Sequence, residues 1–320
     1  MIPNGLRSAV RTAQWAVAAR DRQIGRSFAR ARVPRSAVQF RPDGLFELRE
    51  FGLILSSKRH LFVGEALPLM RSLRARVGAG FAVDGDGELH VSVNGLNLLA
   101  QTSEDIFILH EIFVDGVYQH WIDRPAVVWD IGGNVGFASL YFAQHPSVRA
   151  VVSFEPFRPT YQQALRNFAL NPAVASRIDA RACGVAAADR RELLDYHYQW
   201  KGHAGTAGTM AHVIESGLAS RSACVREEIV VRSAAAVLDE IAAAHPGVDL
   251  VAKIDCEGAE YEIVDALGCD GRLRTLTAVM IEWHSRGSDP LALELARHGF
   301  AVFSRPEAAG HAGMLYAARI

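Results

Sequence analysis

The chain has 320 residues, of which 50% are apolar and 22% are charged, and its formal net charge is −1. This composition is typical of a soluble protein, and the length allows one large domain or one domain with a sizeable extension. A charge near zero argues against a general nucleic-acid-binding protein, which needs clustered Lys and Arg to displace counterions from phosphates. The four cysteines form no CxxC pair and have no zinc-ligand spacing with histidine. No apolar run approaches the ~20 residues of a membrane span, so a cytoplasmic protein is predicted.

Residues 1–43 are predicted to form a basic helical arm. Eight arginines and a single acidic residue, Asp21, lie within the first 36 residues. The apolar residues recur at roughly helical spacing, and they are Leu6, Val10, Trp15, Val17, Ile24 and Phe28. The spacing predicts an amphipathic helix, and two interpretations stay open: a solvated helix, or a helix in peripheral contact with a membrane.

Residues 44–124 are predicted to form an α+β cap. A helix is expected in RHLFVGEALPLMRSLRARV, and strands with Asp-Gly and Asn-Gly turns are expected in GFAVDGDGELHVSVNGLNLLA. A second helix is expected in SEDIFILHEIFVDGVY, with Ser103 capping its N-terminus and acidic residues in its first turn.

From residue 125 onward, apolar strands alternate with helices, which predicts a mostly parallel sheet covered on both faces. The predicted strands are Val127–Asp130, Ala150–Glu155, Arg177–Val185, Ile229–Arg232, Leu250–Asp255, Thr277–Trp283, Ala301–Ser304 and Met314–Arg319. The predicted helices are Gly136–Gln144, Arg158–Leu170, Ala234–Ala244, Ala259–Leu267 and Pro290–His298.

The glycine turn after the first of these strands indicates the class of ligand. The strand ends at Asp130, a turn from Gly132 to Gly136 follows, and the next strand ends at Glu155. A dinucleotide-binding GxGxxG motif does not fit, because Phe137 occupies its third glycine position, and the Lys-Ser/Thr pair of a phosphate-binding loop is missing. A nucleoside without phosphates remains. S-adenosylmethionine (SAM) fits, since its ribose is bare and its amino-acid end carries an ammonium group.

Three motifs together resemble the FkbM family of SAM-dependent methyltransferases: VVWDIGGNVGFASLYFA, VVSFEPFRPTYQQALRNFALN and LVAKIDCEGAEYEIV. The resemblance implies a Rossmann-like, seven-stranded class I methyltransferase sheet over residues 125–320, with helices on both faces and a final antiparallel hairpin. The sequence departs from the family pattern at Gly133, where many relatives have Ala, and at Cys256, which lies inside the third motif. The resemblance also implies that a small-molecule acceptor, a sugar or natural product, is methylated on a hydroxyl oxygen, and nucleic acid is not the expected acceptor.

The predicted cofactor-binding residues follow from these motifs. Glu155 is expected to accept both ribose hydroxyls, and the turn is expected to line the methionine end of SAM. The full predicted set is Asp130, Gly132, Gly133, Asn134, Gly136, Glu155, Pro156, Asp255, Glu111 and Tyr118.

The predicted catalytic residues are His284, Asp255 and Glu257. His284 is the candidate general base, because histidine is the usual proton acceptor near neutral pH. In an alternative arrangement, Asp255, Glu282 and His284 hold a divalent cation that acidifies the acceptor hydroxyl. Glu260, further into the helix, is expected to face solvent and the helix dipole.

The segment Trp200–Val213 is predicted to be an irregular loop, because it is rich in Gly, Ala and Thr. Two interpretations stay open: a lid or binding loop that contacts the acceptor, or a flexible loop without such a role. The predicted substrate-binding residues are Trp200, Lys201, His203 and Glu282. Two other functions stay open. One is a non-catalytic scaffold that keeps the fold, and the other is a nicotinamide-dependent oxidoreductase, which Phe137 disfavours.

Overall fold

A computed structural model describes residues 28–29, 33–119, 124–206, 209–217, 219–306 and 312–320. The chain divides into two compact units, the first ending at Gly116 and the second beginning at Val117. Apart from Phe28, the predicted amphipathic helix of the arm lies outside the described residues. Within the described ranges, no helix is long and apolar enough to cross a membrane.

Within residues 33–116, the described part of the first unit contains two small antiparallel sheets and two α-helices. Its elements are β1 (Val38–Phe40), β2 (Leu45–Leu48), β3 (Leu53–Ser56), α1 (Val63–Val77), β4 (Gly80–Val83), β5 (Leu89–Val93), β6 (Leu96–Ala100) and α2 (Ser103–His110), and a π-helical turn (Glu111–Asp115) follows α2. The cap of α2 differs from the prediction: Thr102, not Ser103, is the N-cap. The Thr102 hydroxyl accepts from the Asp105 amide while the Asp105 carboxylate accepts from the Thr102 amide, which is a capping box.

The second unit is an α/β domain. Its elements are β7 (Ala126–Ile131), α3 (Phe137–Ala143), β8 (Val148–Phe154), α4 (Arg158–Ala169), α5 (Pro172–Ala175), β9 (Ile178–Arg181), β10 (Gly184–Ala186), β11 (Arg190–Tyr196), α6 (Thr209–Glu215), β12 (Val225–Ser233), α7 (Ala234–Ala244), β13 (Asp249–Ile254), α8 (Glu260–Cys269), β14 (Ala278–His284), α9 (Asp289–Arg297), β15 (Phe300–Pro306) and β16 (Ala312–Arg319).

Seven strands of this unit form one sheet in the order β15-β16-β14-β13-β7-β8-β9. β16 is antiparallel to both of its neighbours, and the other pairs are parallel. All six residues of β7 are buried, as expected of a strand covered on both faces. These observations confirm the predicted sheet and its antiparallel hairpin.

The strand order reverses between β7 and β13, which places a crevice at their carboxyl ends. Ile131 of β7 is in register with Phe154 of β8 on one side and with Ile254 of β13 on the other. The next residues along these strands are Gly132, Glu155 and Asp255, so these three predicted cofactor residues lie at one edge of the sheet.

Two predicted strands differ from the structure. The predicted strand Arg177–Val185 is two strands, β9 and β10, and they belong to different sheets. The predicted strand Ile229–Arg232 is part of β12, which pairs with β10 and β11 in a separate three-stranded sheet. β11 was not predicted, because its sequence RRELLDY is mostly charged and lacks an apolar run.

The segment Trp200–Val213 is more regular than predicted. A 3₁₀ turn spans Tyr198–His203, with non-helical backbone angles at Trp200, and α6 begins at Thr209. The Gly, Ala and Thr content therefore does not prevent a short helix where packing supports it.

Candidate functional site

The glycine turn after β7 has no room for side chains at three positions. Gly132 and Gly136 have φ angles of 80° and 82°, in the left-handed region that favours glycine. A Cβ atom on Gly132 would overlap the backbone oxygen of Asp255, and one on Gly136 would press against the Phe168 ring of α4. A Cβ atom on Gly133 would overlap the Ser153 hydroxyl. The turn is thus pressed between the end of β13 and helix α4.

Glu155 lies directly after β8 and is held against this turn. One carboxylate oxygen accepts from the Asn134 amide at 2.9 Å, and the other accepts from the Phe157 amide at 2.9 Å. Asn134 itself has a φ of 47°. Burial raises the pKa of Glu155 to about 7, and these two hydrogen bonds only partly offset that effect. The side chain is oriented by backbone donors, as a ribose acceptor must be. Pro156 lies between Glu155 and Phe157, whose amide donates to the Glu155 carboxylate.

Asp130 lies beneath the turn and is fully buried. Its carboxylate accepts from the Ser139 hydroxyl at 2.5 Å and lies 3.2 Å from the ammonium nitrogen of Lys253. A side chain with these partners supports the turn from below, so the structure does not favour the predicted direct contact of Asp130 with the methionine end of SAM.

Lys253 is the main site residue that is not among the predicted ones. It is 1% exposed, and its ammonium group donates to the carbonyl oxygens of Ile131 and Gly132. Burial opposes its charge, but Asp255 and Asp130 outweigh that effect and raise the pKa of Lys253. A lysine within an apolar parallel strand predicts an oppositely charged partner nearby, because a buried charge requires one. This pattern could have identified Lys253 from the sequence.

Asp255 carries the carboxylate that faces the crevice, with 24% of its side chain exposed. One of its oxygens accepts from the Tyr118 hydroxyl at 2.9 Å and lies 3.3 Å from Lys253. The Tyr118 ring in turn lies over the Lys253 ammonium group, 5.6 Å from ring centroid to nitrogen. The structure therefore brings two predicted residues, Asp255 and Tyr118, into direct contact, and both lie against Lys253, which was not predicted.

His284, at the end of β14, lies among three carboxylates. Its Nδ1 donates to Glu260 at 2.9 Å, and its Nε2 lies 3.5 Å from Glu257 and 3.8 Å from Glu282. Burial opposes the charged form, but the hydrogen bond to Glu260 and the three negative charges outweigh it and raise the pKa of His284 to about 10. His284 is thus an imidazolium near neutral pH. It has no lone pair to accept a proton, so the structure does not favour it as the general base.

Glu260 does not face solvent as expected. It is fully buried in the first turn of α8. The oxygen that accepts from His284 also accepts from the amides of Gly258 at 3.0 Å and Cys256 at 3.4 Å. The expectation was wrong because a helix-dipole argument says nothing about which side of the helix is buried.

Comparison with known proteins agrees with this geometry. The sequence profile of the methyltransferase FkbM domain matches residues 130–302, more than half of the chain. The chain belongs to the FkbM methyltransferase family. The predicted family resemblance is confirmed, and the match begins at Asp130 and runs beyond β14.

Two curated relatives are similar to parts of the chain. AMB antimetabolite synthetase AmbE of Pseudomonas aeruginosa is 27% identical over 251 residues, which are 68% of this chain and 11% of the relative. Methyltransferase 1 of Beauveria bassiana is 31% identical over 99 residues, which are 30% of this chain and 39% of the relative. The chain therefore spans well under half the length of either relative.

Two solved structures are similar to parts of the chain. An FkbM methyltransferase from Methylobacillus flagellatus is 15% identical, with a TM-score of 0.39, and the match covers 80% of this chain and 59% of that one. TrmK of M. capricolum, solved in complex with S-adenosyl-homocysteine, is 10% identical with a TM-score of 0.35, and the match covers 64% of this chain and 66% of that one.

In this FkbM methyltransferase, the segment after β11 reaches the end of β13. A Cβ atom on Gly205 would overlap the backbone oxygen and Cβ of Glu257. Glu257 has a φ of 56°, a strained conformation for a side-chain-bearing residue. Close packing of Gly205 thus helps to hold the Glu257 turn, which supports the predicted closeness of this segment to the site.

The predicted substrate residues of the segment have different surroundings. Lys201 is 3% exposed and donates to Gln163 of α4 at 2.7 Å, so it anchors the segment to α4. Trp200 and His203 pack edge to face, with ring centroids 5.4 Å apart. Their contact with an acceptor stays a prediction, and the buried contact of Lys201 does not favour such a role for it.

Two further predictions concern Glu111 and a metal ion. Glu111 lies in the π-helical turn of the first unit, and its role at the cofactor stays a prediction. For the alternative in which Asp255, Glu282 and His284 hold a cation, the described part of the chain contains no group of three or more His, Cys, Asp or Glu residues arranged to hold a metal ion.

Proposed function

We propose that this FkbM methyltransferase uses SAM to methylate a hydroxyl group of a sugar or natural-product scaffold. The observation that carries the proposal is the Glu155 carboxylate, which is held by two backbone amides at the end of β8, beside the glycine turn. Family membership supports methyl transfer, and the site geometry supports a nucleoside cofactor without phosphates.

The residues at the crevice fit SAM. Each oxygen of Glu155 keeps a lone pair beyond its backbone hydrogen bond, so the carboxylate can accept from both hydroxyls of a ribose. The side-chain oxygen of Asn134 is buried and has no hydrogen-bond partner among the described residues, so it is available to an ammonium donor. Asp255 supplies the exposed carboxylate for that same amino-acid end. When bound, SAM supplies an electrophilic methyl group on a sulfonium.

The charge around the crevice favours a cationic cofactor. Among the described residues in the ion pairs at the strand ends, five carboxylates besides Glu155 face two cations, Lys253 and His284. The five are Asp130, Asp255, Glu257, Glu260 and Glu282. This excess of negative charge attracts a sulfonium and repels polyanions. It therefore supports a neutral or cationic small molecule as acceptor rather than nucleic acid.

The raised pKa of His284 supports a carboxylate, rather than this histidine, as the proton acceptor. Asp255 already accepts from Tyr118 and pairs with Lys253. We therefore assign the acceptor proton to Glu257. As the hydroxyl oxygen bonds to the methyl carbon and the bond from that carbon to the cofactor sulfur breaks, so that the sulfonium leaves as the neutral thioether S-adenosylhomocysteine, Glu257 would take the hydroxyl proton. His284, 3.5 Å away, would hold the Glu257 carboxylate in place before transfer. Alignment of the reacting atoms within about 3 Å is the larger contribution expected of such a site.

Other features of the chain support this setting. The similarity to an antimetabolite synthetase supports a small natural-product acceptor. All four cysteines are free, which supports the proposed cytoplasmic location. Peripheral membrane contact through the basic arm stays part of the proposal as an interaction outside the described residues.

Isothermal titration with SAM tests the proposed function. At pH 8, above the pKa of about 7, Glu155 is ionised, and we expect saturable binding by the full chain. The Glu155→Ala variant should lose about 10- to 100-fold in affinity, because hydrogen bonds to a charged group contribute roughly 1.5–3 kcal/mol. Tighter binding of NAD than of SAM would favour the oxidoreductase alternative. SAM binding without methyl transfer to any hydroxylated acceptor would favour the scaffold.

A further inference from the structure

We propose that Glu260 is a positioning residue of the transfer site, one that holds the turn bearing Asp255 and Glu257 and ties this turn to the end of β14 through His284. The inference rests on the proposed function, because it concerns how that site is held in its working geometry. Glu260 itself is fully buried, so it acts through its neighbours.

A single carboxylate oxygen of Glu260 collects three donors from two elements. The amides of Cys256 and Gly258 come from the turn after β13, and the imidazole Nδ1 comes from the end of β14. These strands are parallel neighbours, paired through Ile254 and Ile281. Glu260 therefore fixes the distance between the two strand ends beyond the last pair of the sheet.

The turn that Glu260 holds is strained at Glu257. A glutamate with a φ of 56° is in a strained backbone conformation, and such a conformation persists only where its surroundings impose it. Glu260 binds the amides on either side of Glu257, and Gly205 presses on the Glu257 backbone. These contacts of Glu260 and Gly205 hold the strained turn in place, and the Glu257 carboxylate thereby stays 3.5 Å from the His284 Nε2.

The negative charge of Glu260 acts on His284 in addition to the hydrogen bonds that Glu260 accepts. The groups that face the His284 ring are Glu260 from α8, Glu257 from the turn and Glu282 from the same strand. Glu260 is the nearest of the three. Its negative charge keeps His284 as a cation, and this cation is the partner that draws Glu257 inward.

The experiment compares Glu260→Gln and Glu260→Ala with a matched control, Glu262→Gln, in the full chain. Glu262 lies in the same first turn of α8, where it pairs with Arg190, so its substitution removes a similar charge from the helix N-terminus. Three properties are measured: the NMR titration of His284, assigned with His284→Gln; hydrogen exchange of the amides from Cys256 to Gly258; and SAM affinity.

We expect Glu260→Gln to lower the titration midpoint of His284 by at least one pH unit. Glu260→Ala should speed exchange in the turn at least tenfold and weaken SAM binding at least fivefold, because the turn that follows Asp255 loses the two amide hydrogen bonds that hold it. Glu262→Gln should change none of the three. Unchanged His284 titration and unchanged amide exchange in the Glu260 variants would overturn the inference. Changes of the same size in the Glu262→Gln control would also overturn it.

The His284 titration and the amide exchange are measured without cofactor. Failure of the positioning role of Glu260 can therefore be distinguished from failure of the proposed function. A wild-type chain that binds no SAM defeats the proposed function even where Glu260 controls His284. Normal SAM binding by Glu260→Ala defeats the positioning role while the proposed function stands. If the Glu260 variants do not fold, His284→Gln replaces them, because it removes the same Glu260–His284 hydrogen bond from the β14 side. This variant should speed amide exchange in the turn, and unchanged exchange would overturn the inference.

Discussion

At the scale of single residues, the site depends on a buried lysine. Lys253 contacts two carboxylates and two backbone carbonyl oxygens, and it therefore joins the glycine turn after β7 to Asp255 after β13. Buried ion pairs add little net stability compared with apolar residues, but removal of one partner leaves an uncompensated charge. The lysine is thus a point at which stability and cofactor binding depend on the same contacts.

We expect Lys253→Met to lower the free energy of unfolding by about 3–5 kcal/mol, because Asp130 then stays buried without a cation. The double variant Lys253→Met/Asp130→Asn should recover part of this loss, since the unpaired charge is gone. Urea denaturation of wild type, both single variants and the double variant gives the coupling energy. A double variant less stable than Lys253→Met alone would contradict the buried pair.

At the scale of elements, the segment that follows β11 is held close to the end of β13 by a glycine. We expect Gly205→Ala to lower the free energy of unfolding by about 1–3 kcal/mol, because its Cβ atom would overlap Glu257 and the backbone must shift. It should also speed proteolysis within residues 198–217.

Gly184→Ala is the matched control for Gly205→Ala in the same unit. Its Cβ atom would meet Pro156 and Val231 only at ordinary contact distances, 3.5 Å and 3.6 Å, and its φ needs no glycine. The control should therefore change stability by less than about 0.5 kcal/mol. Equal thermal stability of the two variants would show that the segment does not pack on Glu257 as described.

The elements also show how far sequence reasoning reaches. Strands β7, β8, β13 and β14 were predicted because each is a nearly continuous apolar run bounded by turn residues. Their carboxyl ends share one edge, so the predicted acids Glu155, Asp255 and Glu257 meet there. β11 and the break between β9 and β10 were not predictable in this way, because their pairing depends on a second sheet distant in sequence.

Partners of buried charges are the other part that the sequence does not reveal. Glu260 and His284 are 24 residues apart, and the hydrogen bond that makes His284 a cation depends on how α8 packs against β14. Periodicity assigns a residue to a face of a helix, but it does not name the side chain opposite. The role of His284 was therefore predicted from its usual pKa, whereas the structure surrounds it with carboxylates.

At the scale of the whole molecule, two buried groups link stability to pH with the same sign. The pKa of Glu155 is raised to about 7 and that of His284 to about 10, so the folded chain holds both protons more tightly than the unfolded chain does. Their stabilising contributions are complete below the unfolded pKa values and are lost as pH rises through the folded ones. Asp239, whose pKa is lowered by Arg272, acts in the opposite sense and only in acid.

The free energy of unfolding of the second unit should therefore fall steadily from about pH 5 to pH 10. The Glu155 contribution, about 3 kcal/mol for a pKa raised from 4.5 to about 7, is lost between pH 4.5 and 7, and the His284 contribution is lost between pH 6.5 and 10. Fluorescence of the buried Trp129 and Trp283 during urea denaturation at a series of pH values measures the slope. Glu155→Gln should flatten the lower half of the profile and His284→Gln the upper half, because each removes one titrating proton. Stability that stays constant or rises between pH 6 and 9 in the wild-type chain would contradict both raised pKa values at once.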